Sequence, residues 1–201
     1  MALTDRIEKP RKILPVIFLV DTSANMAGGG IIAINKFMEN AIIQLKELHE
    51  YNSDADIEIA VLKTSPETRW VTDGLVDINS INRKDFKAEG EANIGAAYKA
   101  LNEKLSVKNG FMKEVRISCV PCINLISNGD FTSAYEKSLD ELKQNDWYKM
   151  GIKTACAFGD LYYESELAKF TGHKEQVIKE NHVNTFIKMI KFFDAKYYYI
   201  D

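Results

Sequence analysis

The chain has 201 residues, of which 46% are hydrophobic and 27% are charged, and its formal net charge is −3. This is the composition of a soluble globular protein with enough length for one domain and its core. The small negative charge argues against a nucleic-acid surface, and no apolar run is long enough to cross a membrane.

The first twelve residues are polar and mixed in charge. They lack the apolar segment of a secretory signal, so we expect a cytoplasmic protein. The sequence divides into a polar leader over residues 1–12, a single domain over 13–195 and a tyrosine-containing tail over 196–201.

The first predicted element is a buried strand over Ile13 to Val20, an unbroken run of β-branched, aromatic and other apolar residues. A long amphipathic helix follows, with apolar residues at helical spacing from Ile31 to Leu48 and an end near Glu50. Ile57 to Leu62 is predicted as the second strand, and Arg69 to Thr72 as its short antiparallel partner.

The rest of the chain alternates between helical and strand patterns. The predicted elements are an irregular stretch over Asp73 to Glu91, a helix over Ile94 to Leu105, a strand from Pro121 to Ser127, a helix with Tyr135, Leu139 and Leu142 on its core face, a strand over Ile152 to Phe158, a helix over Tyr162 to Phe170, a strand over Gln176 to Ile178, and a closing helix with Val183 to Ile190 after an Asn181 cap. This order indicates an α/β fold that is doubly wound. Its central sheet is mostly parallel with one antiparallel edge strand, and helices cover both faces.

Polar side chains follow directly after the first strand. Asp21, Ser23 and Asn25 alternate along this loop, so one concavity could hold all three oxygen atoms. Gly28 to Gly30 then allow a sharp turn into the helix. In open α/β sheets ligands bind at the carboxyl ends of the strands, which is where this loop is expected to lie.

The segment Asp21 to Asn25 resembles the Asp-x-Ser-x-Ser signature of von Willebrand factor type A (vWA) domains, which opens a metal-ion-dependent adhesion site. Glu89 to Ala97 resembles the family's threonine loop, with Asn93 where Thr is usual. Leu125 to Asp130 resembles its Thr-Asp-Gly strand end, with Asn128 where Asp is usual. The three segments occur in the family's order over nearly the whole chain. They look like the bacterial tellurite-resistance-associated branch of stand-alone vWA proteins.

This resemblance implies a degenerate metal site. Ser23, Asn25 and Asn93 would coordinate the ion directly, while Asp21 and Asn128 would act largely through water. Mg²⁺ takes six oxygen ligands and the looser Ca²⁺ shell suits amide oxygens better, but one carboxylate is left where the family has two, so we expect weak binding of Mg or Ca. The alternative that we prefer is that the amides hydrogen-bond one another and link the loops without a metal.

Two further aspartates lie near this edge of the predicted sheet. Asp130 could supply a replacement carboxylate, but the sequence predicts that it caps the following helix. Asp160 follows the Ile152 strand, where loop aspartates are frequent.

The resemblance implies a protein-interaction module, with an unidentified protein partner at the carboxyl edge of the sheet, in a bacterial stress or tellurite-resistance-type system. In the family a carboxylate of the partner completes the metal shell. Here backbone N–H groups between Ala24 and Gly30 could hold an anion without metal. The predicted binding surface comprises residues 22–30, 89–93 and 128–132.

Enzyme motifs are missing from the sequence. Gly28 to Gly30 are followed by isoleucines, not by the Lys and Ser/Thr of a P-loop, and there is no Gly-x-Ser-x-Gly elbow. An aspartyl-phosphate phosphatase would need Asp where Ser23 stands. We therefore expect no catalysis, and the alternatives are a metal-dependent phosphatase-like enzyme and a structural scaffold with a metal-free site.

The three cysteines suggest a reducing compartment. Cys119 and Cys122 have the spacing of a redox pair, but they lead into a strand, whereas redox pairs begin a helix. Cys122 and Cys156 are interpreted as small core residues.

Overall fold

The computed structural model describes residues 11–51, 55–113, 119–131, 134–159, 161–179 and 188. The strands of this part of the chain are β1 Lys12–Val20, β2 Ala55–Lys63, β3 Arg69–Trp70, β4 Val76–Asp77, β5 Cys122–Ser127, β6 Ile152–Ala157 and β7 Val177–Lys179. Its α-helices are α1 Gly29–Tyr51, α2 Ile94–Lys104, α3 Glu136–Lys143, α4 Asp146–Met150 and α5 Glu164–Thr171.

The strands form one sheet in the order β3-β2-β1-β5-β6-β7, with β4 also paired to β2. β1 is central and parallel to both β2 and β5, and β6 and β7 continue the parallel part. β3 and β4 both pair antiparallel with β2, through Leu62 with Trp70 and Ile59 with Val76. The predicted α/β fold is therefore confirmed. Its antiparallel edge consists of two short strands that pair with different parts of β2.

The core lies on both faces of the sheet because neighbouring residues of a strand point in opposite directions. Phe18 packs in a cluster with Ile34 and Met38 of α1, while Leu19 packs in a second cluster with Leu101 of α2 and others from α3 and α5. Burial on both faces explains why the first strand has no polar position between Ile13 and Val20.

The remaining sequence predictions that fall on described residues agree with the structure to within a few residues, except that α4 and β4 were not predicted. Several predictions lie outside the described residues: the closing helix over Val183 to Ile190 apart from residue 188, its cap Asn181, Asp160, residue 132 of the predicted binding surface, the tail and nearly all of the leader. Cys122 and Cys156 are buried as predicted, and burial raises the pKa of the Cys156 thiol to about 12. Among the described helices, none has the length and apolar character needed to span a membrane.

Candidate binding site at the carboxyl edge of the sheet

The parallel strands deliver their following loops to one edge of the sheet. Asp21 follows β1 and its backbone N–H donates to the Ile126 carbonyl of β5 (2.8 Å). Thr64 follows β2 and its N–H donates to the Val20 carbonyl (3.1 Å). Asn128 follows β5, and its carbonyl accepts from the Tyr163 N–H at the start of α5 (2.7 Å). The topology thus brings together loops that are far apart in sequence.

Asp21 is buried below these loops and only 1% exposed. Its Oδ1 accepts from the Ser23 backbone N–H (3.0 Å) and from the Thr64 hydroxyl (3.4 Å). Its Oδ2 accepts from the Ser127 hydroxyl (2.7 Å), and the Ser127 Oγ in turn accepts from the Gly129 N–H (3.0 Å). One carboxylate therefore links the loops that follow β1, β2 and β5.

A second set of hydrogen bonds ties in the loop before α2. The Thr22 hydroxyl donates to the Ser65 carbonyl (2.8 Å) and accepts from the Ser65 N–H (3.1 Å). The Ser65 hydroxyl donates to the Glu91 carbonyl (2.6 Å), and the Ala24 N–H donates to the Gly90 carbonyl (2.8 Å). These bonds fix the position of the loop that carries Asn93.

Among the predicted site residues, Ser23 has a side-chain hydroxyl that is buried and unpaired within the described part of the chain. The residue is 1% exposed, and its Oγ has no hydrogen-bond partner among the described residues. Leaving a buried hydroxyl unpaired costs about 1–3 kcal/mol, so such an atom usually has a ligand, an ion or water beside it. This atom is the feature of the site that fits a bound group.

Asp130 belongs to the site, and its predicted role as a helix cap is wrong. α3 begins at Glu136, with Tyr135 at its N-cap position and no side-chain capping bond. The Asp130 Oδ2 instead accepts from the Asn25 Nδ2 (3.1 Å). The Asp130 backbone N–H donates to the Asn128 Oδ1 (2.9 Å), so this loop orients its carboxylate towards the loop after β1.

Asn93 is exposed and has a capping role. Its Oδ1 accepts from the Ala96 N–H (3.0 Å), which makes it the N-cap of α2. The amides at 25, 93 and 128 thus bond to Asp130 or to backbone groups. The preferred interpretation had them bonding one another, and no such bond occurs among the described residues.

The five predicted ligands do not fit a closed metal shell. The Asn93 and Asn128 amide oxygens are both engaged by backbone N–H groups, and the Asp21 carboxylate accepts three hydrogen bonds. Mg²⁺ needs several oxygen ligands at short, regular distances. Within the described part of the chain, no three His, Cys, Asp or Glu side chains are grouped so that they could hold a metal ion.

A cavity of about 500 Å³ opens between these loops and the start of α1. Asn25, Asn128 and Asp130 form its polar wall, and Ala27, Leu161 and Tyr163 contribute apolar surface. Leu161 is 81% exposed and Tyr163 is 51% exposed, so both present apolar surface to solvent at the cavity. The cavity therefore combines hydrogen-bonding groups with exposed apolar walls, as ligand sites commonly do.

Sequence reasoning missed Thr64, Ser65 and Ser127 as parts of this site. All three are buried and hold Asp21 or its neighbour Thr22. A signal for them was present, because Thr64 and Ser65 follow β2 as Asp21 follows β1, and Ser127 is the last residue of β5. Small polar residues that directly follow an apolar parallel strand lie at the binding edge.

A polar cluster on α3 and α5 flanks the site. The Tyr135 hydroxyl donates to the Glu166 carboxylate, and the Lys169 Nζ donates to Glu166 (2.9 Å) and to the Tyr135 oxygen (3.2 Å). The hydrogen bond from Tyr135, and after it the one from Lys169, lowers the pKa of Glu166. The hydrogen bond to Glu166 raises the pKa of Lys169. Burial raises the pKa of Tyr135, whose ring contacts Phe131 of the site loop (5.2 Å between centroids).

No protein-family model matches this sequence, and no curated protein does. Several solved structures share its fold. Proximal thread matrix protein 1 from the mussel byssus, in a structure with a zinc-occupied MIDAS motif, has a TM-score of 0.62 at 14% identity over 90% of this chain. A von Willebrand factor type A structure from Catenulispora acidiphila has a TM-score of 0.61 at 15% identity over 92% of this chain. The pilus adhesin SpaC from Lactobacillus rhamnosus GG has a TM-score of 0.63 at 11% identity over 92% of this chain.

This chain spans 47%, 42% and 31% of those three structures, which is less than half of each. At such low identity the similarity establishes the fold alone. The chain has the fold of vWA-type domains: a mostly parallel seven-stranded sheet between helices, with its candidate site at the edge where the sequence placed it.

Proposed function

We propose that this chain is a protein-interaction module that binds a partner protein at the carboxyl edge of its sheet and catalyses no reaction. The cavity between Asp130, Leu161 and Tyr163 is the observation that carries the proposal, because it presents a carboxylate beside two exposed apolar side chains. Binding residues concentrate on loops that a rigid scaffold positions, and this edge is such a place.

The buried hydrogen bonds of Asp21, Thr22 and Ser65 support this proposal. They hold the loops in one arrangement before a partner arrives, so little conformational entropy is lost on binding. Because these hydrogen bonds already link the loops, we propose that binding does not require a metal ion.

The similar structures support an interaction role of the same general kind. One is described as a matrix protein of the mussel byssus and another as a pilus adhesin. The resemblance of the three motif segments to the tellurite-resistance-associated branch leads us to propose a bacterial stress system as the setting.

The proposal is tested by partner capture with variants of exposed residues. The double variant Leu161→Ser with Tyr163→Ser should lose the proteins that the wild-type chain captures from an extract of its source cells. The control is Lys46→Glu with Glu50→Lys on α1, which should retain them. Asp21→Ala is unsuitable here because Asp21 is buried and its loss would disturb the loops themselves.

Captured proteins are identified by mass spectrometry, and circular dichroism confirms that each variant is folded. If the folded Leu161/Tyr163 variant retains every partner of the wild type, this edge is not the binding surface. If both variants lose the same partners, the captured proteins do not recognise one surface and the proposal also fails.

A further inference from the structure

The charged side chain on the described lining of the cavity is a carboxylate. Asp130 is the charged residue among its described lining residues. Asp21 lies in the same loop system, and all three of its hydrogen-bond donors are neutral: a backbone N–H and two hydroxyls. α1 begins beside the cavity at Gly29, but a helix N-terminus carries only about half a positive charge. The full charge of the Asp130 carboxylate at the cavity wall exceeds this partial charge.

Among the side chains of the polar wall, Asn25 and Asp130 present hydrogen-bond acceptors. Asn25 uses its amide nitrogen to bind Asp130, which leaves its Oδ1 as the free end of the side chain. The Asp130 carboxylate accepts this one side-chain hydrogen bond, although a carboxylate has about four acceptor sites. A ligand that fits such a wall supplies hydrogen-bond donors.

The apolar wall suits a long side chain better than a bare ion. Ala27, Ala33, Leu161 and Tyr163 line the cavity, and its volume of about 500 Å³ far exceeds that of one ion. Lysine and arginine carry a methylene stem that packs on apolar surface and a head with donors only. The exposed Tyr163 ring offers a cation–π contact to the same head.

We propose that the cavity receives a lysine or arginine side chain of the partner protein, with its cationic head on Asp130 and Asn25 and its stem on Leu161 and Tyr163. This inference rests on the proposed function and names the partner's chemistry. It reverses the expectation from the family resemblance, in which the partner provides a carboxylate. A partner carboxylate would here meet the Asp130 carboxylate without a cation between them.

The test uses small probes and the whole chain, labelled with ¹⁵N. Nα-acetyl-lysine methylamide, its arginine counterpart, the uncharged norleucine analogue and the glutamate analogue are titrated separately while amide chemical shifts are recorded. The lysine and arginine probes should shift the amides of Asn25, Ala27 and Gly159 at millimolar concentrations. The norleucine probe should bind more weakly, and the glutamate probe should cause no shift there.

Asp130→Asn is the decisive variant because Asn keeps the shape and can still accept from Asn25. This variant should bind the lysine probe with roughly fivefold lower affinity, which corresponds to the contribution of one partly exposed charge pair. Asp140→Asn on the exposed face of α3 removes an equal charge outside the cavity and should change nothing. Unchanged amide spectra away from the site show that both variants are folded.

Equal binding of the glutamate and lysine probes, or an Asp130→Asn variant that binds lysine as well as wild type, would overturn the inference. Saturation of the same amides by sub-millimolar Mg²⁺ would also overturn it, since the site would then be a metal site. If no probe binds but the Leu161/Tyr163 variant loses its partners, the inference that the partner contributes a cationic side chain is refuted and the proposed function stands. The proposed function itself fails only in the capture experiment.

Discussion

Replacing Ser127 with alanine tests whether the buried hydrogen bonds hold this edge together. The Ser127 hydroxyl is fully buried, donates to the Asp21 carboxylate (2.7 Å) and accepts from the Gly129 N–H (3.0 Å). A hydrogen bond to a charged group contributes about 1.5–3 kcal/mol and a neutral one about 1 kcal/mol. Ser127→Ala should therefore lower the free energy of unfolding by about 2.5–4 kcal/mol, a large part of a typical domain's stability.

Urea denaturation followed by circular dichroism measures this loss. With an m-value near 2 kcal/mol/M, the midpoint should fall by roughly 1–2 M urea. Ser138→Ala is the matched control, since Ser138 is also buried but lies in α3, outside the network. The free energy of unfolding of Ser138→Ala should fall by less than about 1 kcal/mol, because alanine favours the helix and no hydrogen bond to a charged group is lost.

A loss below about 1 kcal/mol in Ser127→Ala would refute the reasoning. It would mean that the Asp21 carboxylate is equally well satisfied without Ser127, by water or by another group. The proposal that the loops are held without a metal would then lose its physical basis.

The remaining predictions concern the metal, one loop and one thiol. Millimolar Mg²⁺ should raise the melting temperature of the wild-type chain by no more than about 1 °C, because weak ligands stabilise little; differential scanning fluorimetry should show a larger rise in Asn128→Asp, which adds a charge. Gly90→Ala should destabilise more than Gly74→Ala in urea titrations, because both have positive φ (+70° and +83°) but only the Gly90 Cβ would approach Pro66, to 2.7 Å. Cys156, with a pKa raised to about 12, should resist alkylation at pH 8 in the folded chain and react once the chain unfolds, as mass spectrometry can measure.

The fold could be predicted because its signals are local and repeated. The apolar run of β1 and the helical spacing of α1 are each complete within one segment, and their alternation along the chain implies the parallel sheet. The split of the antiparallel edge into β3 and β4 was not predictable, because two-residue strands carry no periodicity. Their pairing depends on β2 offering a free edge.

The placement of Asp21, Ser23 and Asn128 at the carboxyl edge could be predicted, since they follow strands that sequence patterns identify. The role of Asp130 was mispredicted because an aspartate before a helical pattern looks the same whether it caps the helix or faces a cavity. Its contact with Asn25 joins residues 105 positions apart. Such a contact depends on how two loops approach each other at the sheet edge, and no local pattern records it.

The proposed metal-free site and the carboxylate of the cavity wall have a common origin in the loop chemistry. An ion placed among these loops would both link them and neutralise Asp21. Here the hydroxyls of Thr64 and Ser127 link the loops to Asp21, but a hydroxyl carries no net charge. The loops are therefore held while the carboxylates of Asp21 and Asp130 remain uncompensated by the donors that contact them. This is the physical basis of both proposals: an edge that keeps its shape without metal, and a partner that contributes a positive group.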